Sequence, residues 1–81
     1  MKNPVDRVLE ERGVSVRELA VVAGVDVVRV RQFQAGDSKQ LSGKLLETLA
    51  TMGYDREQLK AEYTSWRQGL AAQMRARVLA Q

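Results

Sequence analysis

The side chains best equipped for chemistry sit close together in this 81-residue chain: Arg29, Arg31 and Gln32, with Val27 and Val28 just before them. An arginine offers a rigid fork of donors, and a glutamine amide offers a donor and an acceptor side by side, so both match the edge of a purine. Arg31 can reach guanine O6 and N7 together, and Gln32 can reach adenine N6 and N7. Val27 and Val28 can pack on thymine methyls. Each good bidentate pair is worth about 1–3 kcal/mol of discrimination against the wrong base. A plainer reading stays open, in which Arg29 and Arg31 are solvated surface charges and the valines form a patch for protein contact. Catalytic chemistry is harder to assemble. Cysteine and histidine are absent, which removes disulfides, thiolate nucleophiles, imidazole bases and the usual zinc ligands. The remaining acids, serines and lysines show no triad or metal-ligand spacing. The expectation is a protein that is not an enzyme and that takes no metal, cofactor or small-molecule ligand.

The elements that must position those side chains lie in residues 15–36. Ser15 can accept from an orphan backbone amide while Glu18 reaches back to the amide of Ser15, which is a capping box. Leu19, Ala20 and Ala23 then fall on one helical stripe. Gly24 permits the positive φ that ends a helix sharply. Asp26 is the next N-cap, Val25, Val30 and Phe33 face inward, and Gly36 closes the second helix. Two short helices joined at Ala23-Gly24-Val25 have the layout of a helix-turn-helix, and double-stranded DNA is the first partner to consider. Helical phase turns Val27, Val28, Arg31 and Gln32 outward, with Arg29 at the side.

The flanking sequence reads in the same way. Asn3 caps a first helix, Pro4 takes its first position, and Asp6 faces the positive end of the dipole. Val5, Val8 and Leu9 are its inward stripe, and Gly13 ends it. Residues 36–43 are polar and aperiodic, so they form a loop, with Leu41 folded inward as a lid. Leu45, Leu46, Leu49 and Met52 recur at helical spacing up to Gly53. After a cap at Asp55, the residues Leu59, Tyr63, Trp66, Leu70 and Met74 follow at intervals of four, three, four and four. That spacing predicts one long amphipathic helix to about Val78 or Leu79. Gly69 costs roughly 1 kcal/mol relative to alanine in a helix interior, and a break there is the alternative.

The fold class is therefore all-α. It is a single domain, with residues 1–58 as a DNA-binding core and residues 59–81 as a C-terminal helix. Chains this short bury only around 60% of their unfolded surface, so a partner that covers more apolar area would stabilise the fold. If Tyr63, Trp66, Leu70 and Met74 are exposed on the monomer, they form a patch suited to a two-fold homodimer interface. If Trp66 folds back on the core, the element is an ordinary fifth helix with a frayed tail. The net charge of +3 and sequence pI near 9.7 are compatible with nucleic acid and decide little alone. No apolar run is long enough for a signal peptide or a membrane span, and the expectation is a soluble cytoplasmic protein, at the nucleoid if it binds DNA.

Five signals lie in order: S-x-x-E-L-A at residues 15–20, A-G-V at 23–25, Phe33 with Gly36, L-L-x-x-L-A-x-M-G at 45–53, and D-x-x-x-L at 55–59. Over residues 14–59 the chain resembles the Cro and cI repressor type of helix-turn-helix, without gaps. The resemblance implies a five-helix, lambda-repressor-like bundle whose second and third helices read DNA. It also implies phosphate contacts from Ser15, Arg17, Lys39, Gln40 and Ser42, with Lys44 adding charge nearby. The chain departs from that pattern at Val16, where many members carry a phosphate-touching glutamine, and at Val27-Val28, where the recognition helix usually begins polar. The function so implied is a sequence-specific repressor binding a palindromic operator as a homodimer. A rival from another class is an adaptor, a repressor-like scaffold whose Val16, Val27 and Val28 face protein. Architectural DNA binding without sequence preference is a third.

Overall fold

Five capped segments become five helices. The computed structural model describes residues 1–81 and consists of α1 (Pro4–Arg12), α2 (Val16–Ala23), α3 (Val27–Ala35), α4 (Gly43–Thr51) and α5 (Arg56–Leu79), with no strand. Side chains cap four of the starts: Asn3 accepts from the Val5 amide at 2.8 Å, Ser15 from Glu18 at 3.1 Å, Ser42 from Leu45 at 3.2 Å and Asp55 from Gln58 at 2.9 Å. Asp26 departs from expectation, because its carboxylate makes no capping bond. The Arg29 amide, which that carboxylate would serve, donates instead to the Asp26 carbonyl at 3.0 Å in a tight first turn. The helix expected to begin after Gly43 includes it, since Ser42 is the cap.

The inward stripes meet in one core, drawn from Val5 and Val8, Leu19, Ala20 and Ala23, Val30 and Phe33, Leu45 and Leu49, and Leu59 and Tyr63, closed over by Leu41. One buried polar side chain joins its ends. Asn3 is 3% exposed, and its amide nitrogen donates to the carbonyls of Phe33 at 2.9 Å and Gln34 at 3.3 Å. A single side chain thus caps the start of α1 and the end of α3. The Gln34 amide adds a 2.8 Å bond to Asp6, so α3 is held from behind by α1.

Helix α5 runs unbroken through Gly69. Its first half belongs to the bundle, since Leu59 and Tyr63 are each 1% exposed. It seats on the turn that ends α3. Gly36 sits there at φ +82°, with its α-carbon face so close that a Cβ would stand 2.7 Å from Leu70 Cδ2 and 3.0 Å from Trp66 Cζ3. Arg67 Nε donates to the Gly36 carbonyl at 2.8 Å, and the Tyr63 hydroxyl donates to the Ser38 carbonyl at 2.6 Å. Beyond Leu70 every residue is exposed. That overhang makes the molecule 42 Å long against 23 and 22 Å across.

Candidate nucleic-acid interface

The phase of α3 is set by Val30 and Phe33, both 0% exposed, so the opposite face carries Val28, Arg31, Gln32 and Ala35. Val28 and Arg31 are exposed and Gln32 is half-buried. Val27 is half-buried against the core rather than facing solvent. Arg29 is tied down at the side: its guanidinium lies 4.6 Å from the centre of the Phe33 ring, and its Nη1 donates to Gln32 Oε1 at 3.1 Å. An arginine has only donors, so the glutamine oxygen must face it and the Gln32 amide nitrogen is left as the free donor. The outward face therefore offers the Arg31 fork and the Gln32 amide, both donors, beside the Val28 methyls. Acceptors such as guanine O6 and N7 are its complement.

The residues expected to meet phosphate fall into three local settings. At the start of α2, Ser15 and Glu18 form the full capping box, with the Ser15 amide donating to Glu18 Oε1 at 3.0 Å. That amide, and secondarily the Ser15 hydroxyl, hold the Glu18 carboxyl below the usual carboxylate range. An ionised Glu18 thus occupies the anion-favouring end of α2 and competes with phosphate there. The start of α4 is better suited. Ser42 caps it, no acid lies in its first turn, Gly43 and Lys44 are exposed, and first-turn amides have no intrahelical partner. Between them, Lys39 and Gln40 are exposed on a loop pinned by the Tyr63 bond to Ser38, by the Ser38 hydroxyl donating to the Gln40 carbonyl at 2.9 Å, and by buried Leu41. Arg17, Arg31, Lys39 and Lys44 take part in no ion pair, so each cation is free.

The four residues expected at a dimer interface separate. Tyr63 is buried within the protomer, edge-on to Phe33 at 6.5 Å and tilted against Trp66 at 5.8 Å. Burial pushes its hydroxyl up, while Arg67 and Arg29 pull it back. Trp66 and Leu70 are half-buried over Gly36, and only Met74, 53% exposed, stands free. Val78 and Leu79, at the end of the predicted stripe, are exposed as well, and so are Val21 and Val22, which sequence reading passed over. The helical phase of Leu19, Ala20 and Ala23 already turns Val21 and Val22 outward. No helix is long and apolar enough to cross a membrane. Neither a scan of protein-family models nor searches of curated proteins and solved structures return a match.

Proposed function

We propose that the chain is a sequence-specific DNA-binding transcriptional regulator, a repressor that occupies a palindromic operator as a homodimer, with α3 in the major groove. The observation that carries this reading is the solvent-facing side of α3, where Arg31 is exposed and in no ion pair and the half-buried Gln32 amide is oriented by Arg29. Support also comes from the resemblance of residues 14–59 to the Cro and cI type. The α4 start, with Lys44 and the loop residues Lys39, a cation, and Gln40, a neutral donor, beside it, supplies the phosphate clamp, and the Ser15 end with Arg17 contributes less because Glu18 sits there. Arg29 acts through Gln32 rather than on a base. The setting for such a protein is the cytoplasm, at the nucleoid.

Selection from random duplexes at low salt, followed by gel shift, tests the proposal. A preferred site with two half-sites about one helical turn apart is the expected result. Equal affinity for all sequences leaves only architectural binding, and no affinity removes DNA as the partner.

One observation favours the adaptor reading: Val21, Val22 and Val28 are 71%, 74% and 65% exposed, an unusual cost for a helix pair facing water. Serine at Val21 and Val22 separates the two. A DNA reader keeps its duplex affinity, whereas an adaptor has none to keep.

A further inference from the structure

Lys39 lies in a stretch that the main chain does not hold. Residues 38–41 connect α3 to α4, and they neither donate nor accept a backbone–backbone hydrogen bond. Side chains hold them instead. The Tyr63 hydroxyl of α5 donates to the Ser38 carbonyl at 2.6 Å, the Ser38 hydroxyl donates to the Gln40 carbonyl at 2.9 Å, and Leu41 is 7% exposed. Lys39 is thus bracketed by two bonds, and the first of them is the one that ties the stretch to the rest of the fold. Arg67, one turn further along α5, does the same for the preceding Gly36 carbonyl at 2.8 Å, so the connection is anchored at its root as well.

We propose that Tyr63 is a positioning residue for duplex binding: buried in the bundle and placed against no DNA, it holds Lys39 and Gln40 where the phosphate backbone meets the protein. The proposal rests on the DNA reading above and deepens it, since it assigns part of the phosphate affinity to a side chain in the interior of α5. A cation on a slack loop reaches a phosphate only by giving up backbone freedom as it binds, and that cost is subtracted from the contact. Here the freedom is already lost in the free protein. Tyr63 suits the task because its ring is 1% exposed and edge-on to Phe33 at 6.5 Å, which fixes the direction of the hydroxyl. Burial raises the pKa of that hydroxyl, so it stays a donor at neutral pH.

The base-reading face has separate supports. Arg31 and Gln32 ride on α3, which α1 backs through the Asn3 bond to the Phe33 carbonyl and the Gln34 bond to Asp6. Loss of the Tyr63 bond should therefore weaken every duplex by the same factor and leave base preference intact.

Fluorescence anisotropy of labelled duplexes over a range of salt, with the full chain, tests this. Tyr63→Phe removes only the hydroxyl and keeps the ring in the core, and far-UV circular dichroism verifies its helices. Its affinity for a selected duplex and for a scrambled one should fall alike, roughly three- to tenfold. The slope of log K against log salt should become shallower by about 0.9, the share of one phosphate. Tyr63→Phe/Lys39→Ala should bind no worse than Tyr63→Phe, because both changes remove one contact. Lys44→Ala, on a helix start that Ser42 caps, should multiply in full with Tyr63→Phe. A general loss of structure would multiply with both lysine changes alike. In the free variant, nitrogen-15 relaxation should show residues 38–41 newly mobile and the helices unchanged.

Parent-like affinity or an unchanged salt slope in Tyr63→Phe, a loss that multiplies in full with that of Lys39→Ala, or residues 38–41 as rigid as in the parent overturns the positioning role and leaves the DNA reading standing. A parent with no affinity for any duplex overturns the DNA reading itself, and the role of Tyr63 with it.

Discussion

Replacing Gly36 with alanine tests how α5 is seated on the recognition helix. Two costs add at this position. A side chain at φ +82° enters the left-handed region at roughly 1–2 kcal/mol. The new methyl would also stand 2.7 Å from Leu70 Cδ2, and 3.0 and 3.1 Å from Trp66, so α5 must shift, an overpacking cost of about 1–3 kcal/mol. Gly24 supplies the control. Its φ is +72°, yet nothing lies within 4 Å of its Cβ position, so Gly24→Ala bears only the first cost. One kcal/mol moves the melting temperature of a domain this size by about 4–8 °C. Gly36→Ala should therefore melt roughly 8–40 °C below the parent, and Gly24→Ala roughly 4–16 °C. Thermal melts followed by far-UV circular dichroism read the difference, and the fluorescence of the lone tryptophan, Trp66, should shift in the Gly36 variant alone. Adding Leu70→Ala to Gly36→Ala should recover part of the loss, because the clashing methyl is gone, and the double-mutant cycle should show coupling. Equal losses at Gly36 and Gly24, with no coupling to Leu70, would refute the close approach of α5.

Other expectations concern the supports of α3 and its face. Asn3→Ala should cost about 2–4 kcal/mol in urea unfolding, because it removes the α1 cap and strips the Phe33 and Gln34 carbonyls of a buried donor. The Glu18 carboxyl has a lowered folded pKa, so its stabilising effect is complete above the unfolded carboxylate value and fades as pH falls through the folded one. The gap in melting temperature between the parent and Glu18→Ala should accordingly close below about pH 4. The Tyr63 hydroxyl is shifted the other way: the folded state prefers it protonated, so stability should fall as pH rises above about 10, and Tyr63→Phe should lack that fall. Arg31→Ala should relax base preference at one position of a selected site, while Lys44→Ala should weaken all sequences alike and lower the salt slope by about one.

The local part of this architecture is legible in the chain because its signals are local. Asn3, Ser15 and Asp55 announce helix starts by a side chain that reaches two or three residues ahead, and Gly13, Gly24 and Gly36 announce ends by a backbone angle. Asp26 shows the limit of that logic, since a main-chain carbonyl can take the amide that a cap would serve. The stripe from Leu59 to Met74 reads as one continuous face. Periodicity carries no mark of where the bundle stops, so Tyr63 in the core and Met74 in the open look alike in sequence. Likewise Gly36 reads as a turn residue, whereas its second role, leaving room for Trp66 and Leu70, depends on contacts across 30 and 34 positions. On α3, the phase of Val30 and Phe33 was enough to turn Arg31 outward, but Val27 lies at the edge of the buried arc and packs inward.

The most direct test lies in the bond between Arg31 and a base edge. Once a preferred duplex has been selected, each guanine can be replaced in turn by 7-deazaguanine, which lacks the N7 acceptor and changes nothing else in the groove. At one position per half-site the substitution should weaken binding of the parent roughly tenfold or more, and it should leave the Arg31→Ala variant unaffected at that position. A parent protein indifferent to every deaza substitution, or a variant that loses as much as the parent, would contradict the assignment of the outward face of α3 as the reader of DNA.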